Sequence, residues 1–450
     1  MIIIFGVLSS MLFLITYILL RRKDGVLLLT IDNLIILVLG VFFGVVFPIT
    51  YFYSLDHRSN AFLAIISNYT ALDLIQYYLC VFLFLLFFAP VFRRTVRHRG
   101  VLISNNMESE MMNSSQFYFS TVLLFLIGVV ADFLYCRAYG GYIGYLEYAS
   151  YVRSGITDLV YNRWSFLIAF RDCIVVSSYM FFAQIRNNGK ILLDRVLLFA
   201  ISFVLSCMVL FANKGRLSFL IYFSIFIVAY ILKEQKGTYI RLRIAKLSKM
   251  CVWGLIGVIG FWYISNQMGR SDGSELLDTL FKEVSFVFSN FKTLIDNMEF
   301  DDARLFVDII SYPLYLLPSR FWRVILPNTA SDIITIFIFG SKKGVGDVYG
   351  EVPIDSISIG YIQFGLIGVA VFGLFFGYFI AKLFNIVSEI SNNKIRNILV
   401  IYITIDIAIR SIFYADSYSV VQRIFSLVVF GLIYWCIGLI SKKNKKCNSC

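Results

Sequence analysis

Apolar runs of about twenty residues recur from one end of this chain to the other, with few charges inside them. A run of that length crosses the hydrocarbon core of a bilayer as one α-helix, which satisfies its own backbone hydrogen bonds. Hydrophobic residues make up 59% of the chain and charged residues only 15%, against about 25% charged in soluble domains. The sequence therefore predicts an all-α polytopic membrane protein. It excludes the soluble, disordered, collagen-like and disulfide-scaffold classes.

The apolar runs predict about 11 transmembrane helices, with a range of about 10–12, in a single integral membrane domain that covers residues 1–450. Two substantial stretches between them, residues 136–164 and 266–355, are predicted as loops outside the membrane. In the second, residues 274–298 carry apolar side chains at helical spacing, which predicts a helical loop of about 90 residues. The predicted spans lie near residues 2–20, 31–53, 71–92, 116–135, 165–184, 191–211, 217–232, 250–265, 357–384, 398–414 and 421–440.

The formal net charge of +12 is interpreted as a mark of membrane topology rather than of a nucleic-acid partner. Lys and Arg are about three times denser in one alternating set of loops, which identifies those loops as cytoplasmic. Arg21, Arg22 and Lys23 follow the first span, and lysines fill the tail. The N-terminus is therefore predicted to be periplasmic and the C-terminus cytoplasmic, which places both long loops on the outer side.

One short outer segment, residues 212–216, carries two cations at the predicted start of the seventh span. A helix N-terminus presents free amide donors and a positive dipole end, and Gly215 lets the backbone approach a ligand closely. Lys214 and Arg216 at that point predict an anion site suited to phosphate. The alternative is a pair of interfacial cations whose side chains extend toward the headgroups.

Aromatic side chains are concentrated in the two outer loops. Tyr142, Tyr145 and Tyr148 belong to a series at every third position, and Trp322 stands between two arginines. Aromatic faces with polar tips suit sugar rings, which combine apolar C–H patches with hydroxyls, so these residues are predicted to stack on a glycan. The alternative is an interfacial aromatic belt.

Arginines in and beside the outer loops form a second set of candidates. Charges within a span are costly and outer cations are scarce, so these arginines are predicted to bind a phosphate-bearing substrate. Asp406 and Arg410 lie four residues apart on the tenth span, so they share one helix face. This spacing is compatible with a functional role and with an internal ion pair, and both alternatives stay open. The predicted substrate-binding arginines are Arg163, Arg171, Arg270, Arg304, Arg320 and Arg323.

Several catalytic motifs are absent from the sequence: a phosphate-binding glycine loop, a nucleophile elbow and a metal-binding His/Cys cluster. We therefore predict no metal and no cofactor. An enzyme on the outer face would have to work with Arg, Lys, Tyr and carboxylates, which fits a pre-activated donor with a phosphate leaving group.

This pattern resembles the bacterial Wzy-type O-antigen polymerases, which join oligosaccharide repeat units at the inner membrane. The resemblance rests on the whole-chain layout, on the basic entrance to a span in residues 211–219, and on the Gly-rich residues 344–355 that lead into residues 360–368. It implies a GT-C-like glycosyltransferase that moves a growing glycan from undecaprenyl pyrophosphate to a new lipid-linked repeat unit.

The resemblance also implies roles for particular residues and partners. Arg216 and Lys214 would stabilise the leaving pyrophosphate, helped by the other outer arginines. Asp355, Glu351 or Asp347, in the Gly-rich stretch, would act as general base. The partners would be undecaprenyl-pyrophosphate-linked oligosaccharides, membrane lipids and a chain-length regulator protein.

Two other functions stay open. One is an O-antigen ligase or another lipid-linked glycan transferase; the ligases resemble this layout but use a His in the long outer loop, and residues 266–355 contain none. The other is a polysaccharide flippase or transporter. Such carriers usually show paired halves, and no internal repeat is visible in this sequence.

Overall fold

The computed structural model describes residues 1–20, 30–97, 114–154, 162–187, 190–213, 216–233, 276–299, 303–317, 319–322, 324–326, 328–390 and 393–447. This part of the chain is helical apart from its turns and one short antiparallel pair, Arg186–Asn187 with Lys190–Ile191. The predicted all-α fold class is confirmed.

The helices are numbered here in chain order. Two π-helical segments interrupt the α-helices, at Phe42–Val46 and at Ile403–Ile409. Single 3-10 turns lie at Ser165–Leu167 and Leu314–Leu316. The α-helices are α1 Ile2–Leu20, α2 Ile31–Val41, α3 Phe47–Asp56, α4 Ala61–Ser67, α5 Ala71–Thr95, α6 Ser114–Arg137, α7 Tyr142–Ser154, α8 Ile168–Gln184, α9 Leu193–Asn213, α10 Arg216–Lys233, α11 Leu276–Asn297, α12 Val307–Ile310, α13 Ser319–Trp322, α14 Ala330–Phe339, α15 Ser356–Ser388, α16 Asn393–Tyr402, α17 Arg410–Phe413 and α18 Ser417–Cys447.

Eight helical stretches of the described residues are long and apolar enough to cross a membrane, and each coincides with a predicted span. The chain is therefore a multi-pass membrane protein. The predicted seventh span corresponds to α10, whose apolar section is shorter, and the predicted eighth, 250–265, lies outside the described residues. The eight are Ile2–Leu20, Ile31–Asp56, Ala71–Thr95, Ser115–Arg137, Ser165–Gln184, Leu193–Phe211, Ser356–Ser388 and Ser417–Leu439.

The predicted tenth span, 398–414, is helical but not uniformly α-helical. It runs from α16 through the π-helical segment into α17. Arg410 Nη1 lies 2.9 Å from Asp406 Oδ1, so the two residues form the internal ion pair that their spacing had left open. A charge pair of this kind lowers the cost of carrying either group in an apolar helix.

The chain folds as two compact units. The first contains Met1–Ile103, Gly237–Ile386 and Ile403–Val420; the second contains Ser104–Lys236, Val387–Tyr402 and Val421–Cys450. In the second unit, α6, α8 and α9 pack together around Phe125, Ile174, Phe181 and Val209.

Helix α11 lies inside the first unit, although its sequence belongs to the predicted loop 266–355. Residues 285–294 are buried on every side, beyond the single apolar stripe that helical spacing predicts. The Phe288 ring stacks on Phe47 at 4.5 Å and on Phe42 at 4.8 Å, both in the stretch Ile31–Asp56. Residues 285–294 of this predicted loop therefore belong to the packed interior of the unit.

Helix α15 is broken near its start. Phe364 and Gly365 have non-helical backbone angles, and Gly365 is left-handed with φ +57°. A Cβ on Gly360 would lie 2.8 Å from Val369 Cα, so the short piece, 356–363, packs tightly against the long piece, 366–388. A glycine at position 360 permits that approach. The break exposes backbone carbonyls in the interior of the first unit, and these carbonyls need other donors.

Candidate functional site at the break in helix α15

A turn from the long loop supplies the donors that the broken helix lacks. Arg304 N–H donates to Ile362 O and Leu305 N–H donates to Gln363 O, each at 3.0 Å. Leu305 and Phe306 adopt left-handed backbone angles, with φ +46° and +65°. Such conformations cost about 1–3 kcal/mol for non-glycine residues and persist where surrounding bonds fix them. The strained turn therefore holds the Arg304 side chain at the end of the helix piece 356–363.

The Arg304 guanidinium is bound by a carboxylate from its own turn. Its Nη2 donates to Asp308 Oδ1 at 2.8 Å, and its Nε donates to Asp308 Oδ2. Gln363 Nε2 also donates to Asp308 Oδ2 at 2.7 Å, so the broken helix and the turn share one carboxylate. Two of the five N–H groups of Arg304 make these bonds. The other three make no hydrogen bond with the described residues, so they can bind an anionic ligand.

A second carboxylate lies in the same part of the first unit. Ala415 N–H donates to Ile354 O at 2.7 Å, and the next residue, Asp416, accepts from Ser331 N–H and Ser419 N–H at 3.4 Å. Burial raises the pKa of Asp416 to about 6, and the nearby charge of Asp308 adds to the rise. Asp416 therefore gains and loses a proton near neutral pH, as a general base must.

Aromatic rings adjoin these charged groups. The Trp322 ring lies 4.9 Å from Tyr315 and 5.1 Å from Tyr418, between ring centroids. The Tyr315 hydroxyl is buried and makes no hydrogen bond within the described residues. Burial raises its pKa above the usual range, and the charges of Asp308 and Asp416 act in the same direction. Tyr315 thus stays protonated and can donate to a ligand.

The site brings together two of the predicted residues, Arg304 and Trp322. Asp308, Gln363 and Tyr315 could not be selected from sequence, because their roles depend on the break in α15 and on the turn before α12. A weak signal exists: a Gln-Phe-Gly sequence at residues 363–365, inside an otherwise apolar span, indicates an interrupted helix.

The two predicted catalytic carboxylates have opposite environments. Asp355 is fully buried, and its Oδ1 caps the helix piece 356–363 by accepting from Ile357 N–H at 2.9 Å and Ser358 N–H at 3.0 Å. Burial raises the pKa of Asp355 to about 6, although these hydrogen bonds oppose the rise. Glu351 is exposed on the preceding loop.

Arg171 and Tyr145, both predicted to contact substrate, meet inside the second unit. Arg171 Nε lies 2.5 Å from Asp132 Oδ1, and both side chains are 1% exposed. Arg171 Nη1 donates to the Tyr145 hydroxyl at 3.1 Å, and the guanidinium lies over the rings of Tyr135 and Tyr145. These bonds join α6, α7 and α8 through a buried charge pair.

The other predicted aromatic residues of this unit lie nearer the surface. Tyr142 and Tyr148 on α7 are half-buried, and the Tyr148 ring lies 6.0 Å from the Tyr139 ring. Arg163 is exposed, with its guanidinium 5.1 Å from the Trp164 ring centroid. This unit therefore presents an accessible cation beside an aromatic ring.

The remaining predicted residues cannot be placed in a site by their side chains. Lys214, Arg270 and Arg323 lie outside the described residues. For Arg216, the first residue of α10 as described, and for Arg320 in α13, the structure describes only the backbone. Their roles stay predictions.

The fold and the site define a multi-pass α-helical membrane protein with carboxylates, an arginine and aromatic rings gathered at a broken helix. No protein-family model, no curated protein and no solved structure matches this chain.

Proposed function

We propose that this chain is a membrane glycosyltransferase that polymerises lipid-linked oligosaccharide repeat units of O-antigen or a similar surface polysaccharide. It works at the periplasmic face of the bacterial inner membrane, with a periplasmic N-terminus, a cytoplasmic C-terminus and about 11 spans in a GT-C-like arrangement. Its donor is a growing glycan on undecaprenyl pyrophosphate, and its acceptor is a new lipid-linked repeat unit. A chain-length regulator protein is a further proposed partner.

The observation that carries the proposal is the grouping of Asp416, Arg304 and Tyr315 in one part of the first unit. The charge of Asp416 acts on both neighbours, so the three groups lie within electrostatic reach of one another. A carboxylate that titrates near neutrality, an arginine with spare donors and a wall of aromatic rings suit a sugar substrate with an anionic leaving group.

In the proposed reaction, Asp416 or the exposed Glu351 accepts the proton of the acceptor hydroxyl. The hydroxyl oxygen forms a bond to the anomeric carbon, and the bond from that carbon to the pyrophosphate oxygen breaks. The electron pair leaves with undecaprenyl pyrophosphate, whose charge Arg304 helps to neutralise. In the second unit, Lys214 and Arg216 remain the predicted ligands of phosphate.

A carrier for lipid-linked glycans is the second candidate, and one observation favours it. Transporters often bind substrate or ions at interrupted helices, and α15 is interrupted at Phe364 and Gly365 beside buried carboxylates. A ligase shares the glycosyl-transfer chemistry proposed above, and it differs only in the acceptor.

Replacing Asp416 with asparagine tests the proposal in cells that lack the wild-type gene. We expect at least a hundredfold loss of chains longer than one repeat unit, because general-base catalysis contributes about 10²–10⁴ in rate. Lipid-linked repeat units should accumulate in the outer leaflet. The readouts are a polysaccharide ladder on a gel and leaflet-specific labelling of the lipid-linked pool.

The matched control is Asp56→Asn, since Asp56 is an exposed carboxylate of the first unit. A wild-type ladder from membrane-inserted Asp416→Asn protein contradicts the assignment of Asp416. Accumulation in the inner leaflet in cells without the protein contradicts the polymerase and identifies a carrier.

A further inference from the structure

The exposed side chains of residues 303–317 are all apolar, although this segment belongs to a predicted loop outside the membrane. Ile310 alone is 73% exposed. The two charged residues of the segment, Arg304 and Asp308, bind each other and are not exposed. Loops that face water expose polar side chains, whereas exposed apolar patches mark contacts with a membrane or a partner. The exposed residues are Leu305, Ile310, Pro313, Leu316 and Leu317.

Tyr312 fixes this segment beside the middle of a membrane span. Its ring lies 5.0 Å from the Phe375 ring and 5.5 Å from the Phe379 ring, between centroids. Phe375 is nine residues after the start of the long piece of α15, 366–388, and Phe379 is nine residues before its end. Nine residues measure about 13 Å along a helix axis. Ile310 is two residues from Tyr312, so its backbone lies within about 7 Å of that level.

A second span lies at the same level. Gly377 stands between the two phenylalanines in the sequence, and a Cβ on it would lie 2.7 Å from Phe88 O in the span Ala71–Thr95. Phe88 is seven residues from the nearer end of that helix. Both helices therefore meet Tyr312 and its neighbours at a level away from their ends, where a span crosses the hydrocarbon of a bilayer.

The backbone of the segment suits surroundings without water. Every amide from Ile309 to Leu317 donates to a backbone carbonyl of the same segment, apart from Pro313, which has no N–H. Hydrocarbon offers no hydrogen-bond partner, so a chain is tolerated at that depth only when its amides are bonded within the protein. The segment is too short to cross the bilayer, but its amides meet this condition.

We propose that residues 305–317 enter the bilayer as a re-entrant segment and contact the acyl chains of membrane lipids. The neighbouring helix α15 has an exposed side chain at the same level, because Tyr378, the residue before Phe379, is 49% exposed within an apolar span. Exposed side chains in the middle of a span face hydrocarbon, so lipid covers both surfaces. This inference does not depend on the proposed polymerase activity, and its test uses no glycan.

The experiment attaches a nitroxide spin label to Ile310→Cys in the full-length protein, in a background whose native cysteines are replaced by alanine. The matched control is Val345→Cys, since Val345 is 57% exposed and lies two residues from the exposed carboxylate of Asp347. In proteoliposomes, collisions of the label are measured with O₂, which concentrates in hydrocarbon, and with a nickel chelate, which stays in water. We expect the ratio of O₂ to nickel collisions to be several-fold higher at position 310 than at position 345.

Both other outcomes contradict the proposal. Frequent collisions with the nickel chelate at position 310, as at position 345, would show that the segment faces water. Few collisions with either reagent would show that protein covers the segment, either from this chain or from a partner.

A second measurement needs no substitution. Wild-type protein is placed in proteoliposomes with a phospholipid that carries a photoreactive diazirine in its acyl chain. Trypsin cleaves after Arg304 and Arg320, and so releases residues 305–320 as one peptide. After illumination we expect lipid adducts on this peptide and none on residues 344–351. If the exposed faces of the spans carry adducts and residues 305–320 carry none, the segment does not contact lipid and the proposal is overturned.

Discussion

Replacing Arg171 with alanine is expected to destabilise the protein by about 3–5 kcal/mol, the usual cost of breaking a buried ion pair from one side. Asp132 would keep its charge in the interior of the second unit without its 2.5 Å partner. The Tyr145 hydroxyl would lose its donor, and two ring faces would lose the guanidinium that covers them. Chemical unfolding of the purified protein measures the loss, and the amount of folded protein in the membrane gives a second readout.

Two comparisons separate the charge pair from a general effect of lost volume. The double variant Asp132→Ala/Arg171→Ala should be more stable than Arg171→Ala alone, because it leaves no unpaired charge. Arg163→Ala removes an exposed guanidinium beside Trp164 and should cost less than about 1 kcal/mol. If Arg171→Ala is no less stable than Arg163→Ala, the buried pair does not hold α6, α7 and α8 together.

Replacing Arg216 with alanine is expected to lower chain extension by about 10²–10³-fold, the cost of losing one donor to developing negative charge in comparable sites. The reason lies in its position at the start of α10, where the helix dipole and free amides also favour an anion. The measurement is the distribution of chain lengths made by membrane-inserted protein at equal expression.

Arg216→Lys distinguishes charge from geometry. Restored extension would mean that a single positive charge is enough, whereas failure would mean that the bidentate fork of arginine is needed. The matched control is Arg195→Ala. Arg195 is a cation on the preceding helix, α9, and its guanidinium lies over the Tyr118 ring. A wild-type ladder from Arg216→Ala would remove Arg216 from the catalytic residues.

The membrane helices could be predicted from sequence because each is a local feature. Long apolar runs such as Ala71–Thr95 have one stable structure in a bilayer, the α-helix. Capping residues in the sequence mark where such helices begin. The capping box of Thr70 and Asp73 is one such signal. The Asp406–Arg410 ion pair could be predicted, as one of two alternatives, for the same reason. Residues four apart on a helix lie next to each other on one face.

The candidate site could not be predicted in the same way, because it depends on contacts between distant segments. Arg304 was selected for its charge, but its binding to Asp308 and Gln363 requires the left-handed turn and the break at Gly365. Asp355 was selected as a carboxylate in a Gly-rich run. Its complete burial follows from α11, which packs inside the unit although its composition is that of an amphipathic loop helix.

The most direct test of the proposed function uses purified wild-type protein in proteoliposomes, with a single lipid-linked repeat unit as both donor and acceptor. We expect a ladder of products that differ by one repeat unit, together with release of undecaprenyl pyrophosphate. No glycan longer than one repeat unit from folded, correctly inserted protein would contradict it. Movement of the lipid-linked unit between leaflets without extension would identify a carrier instead.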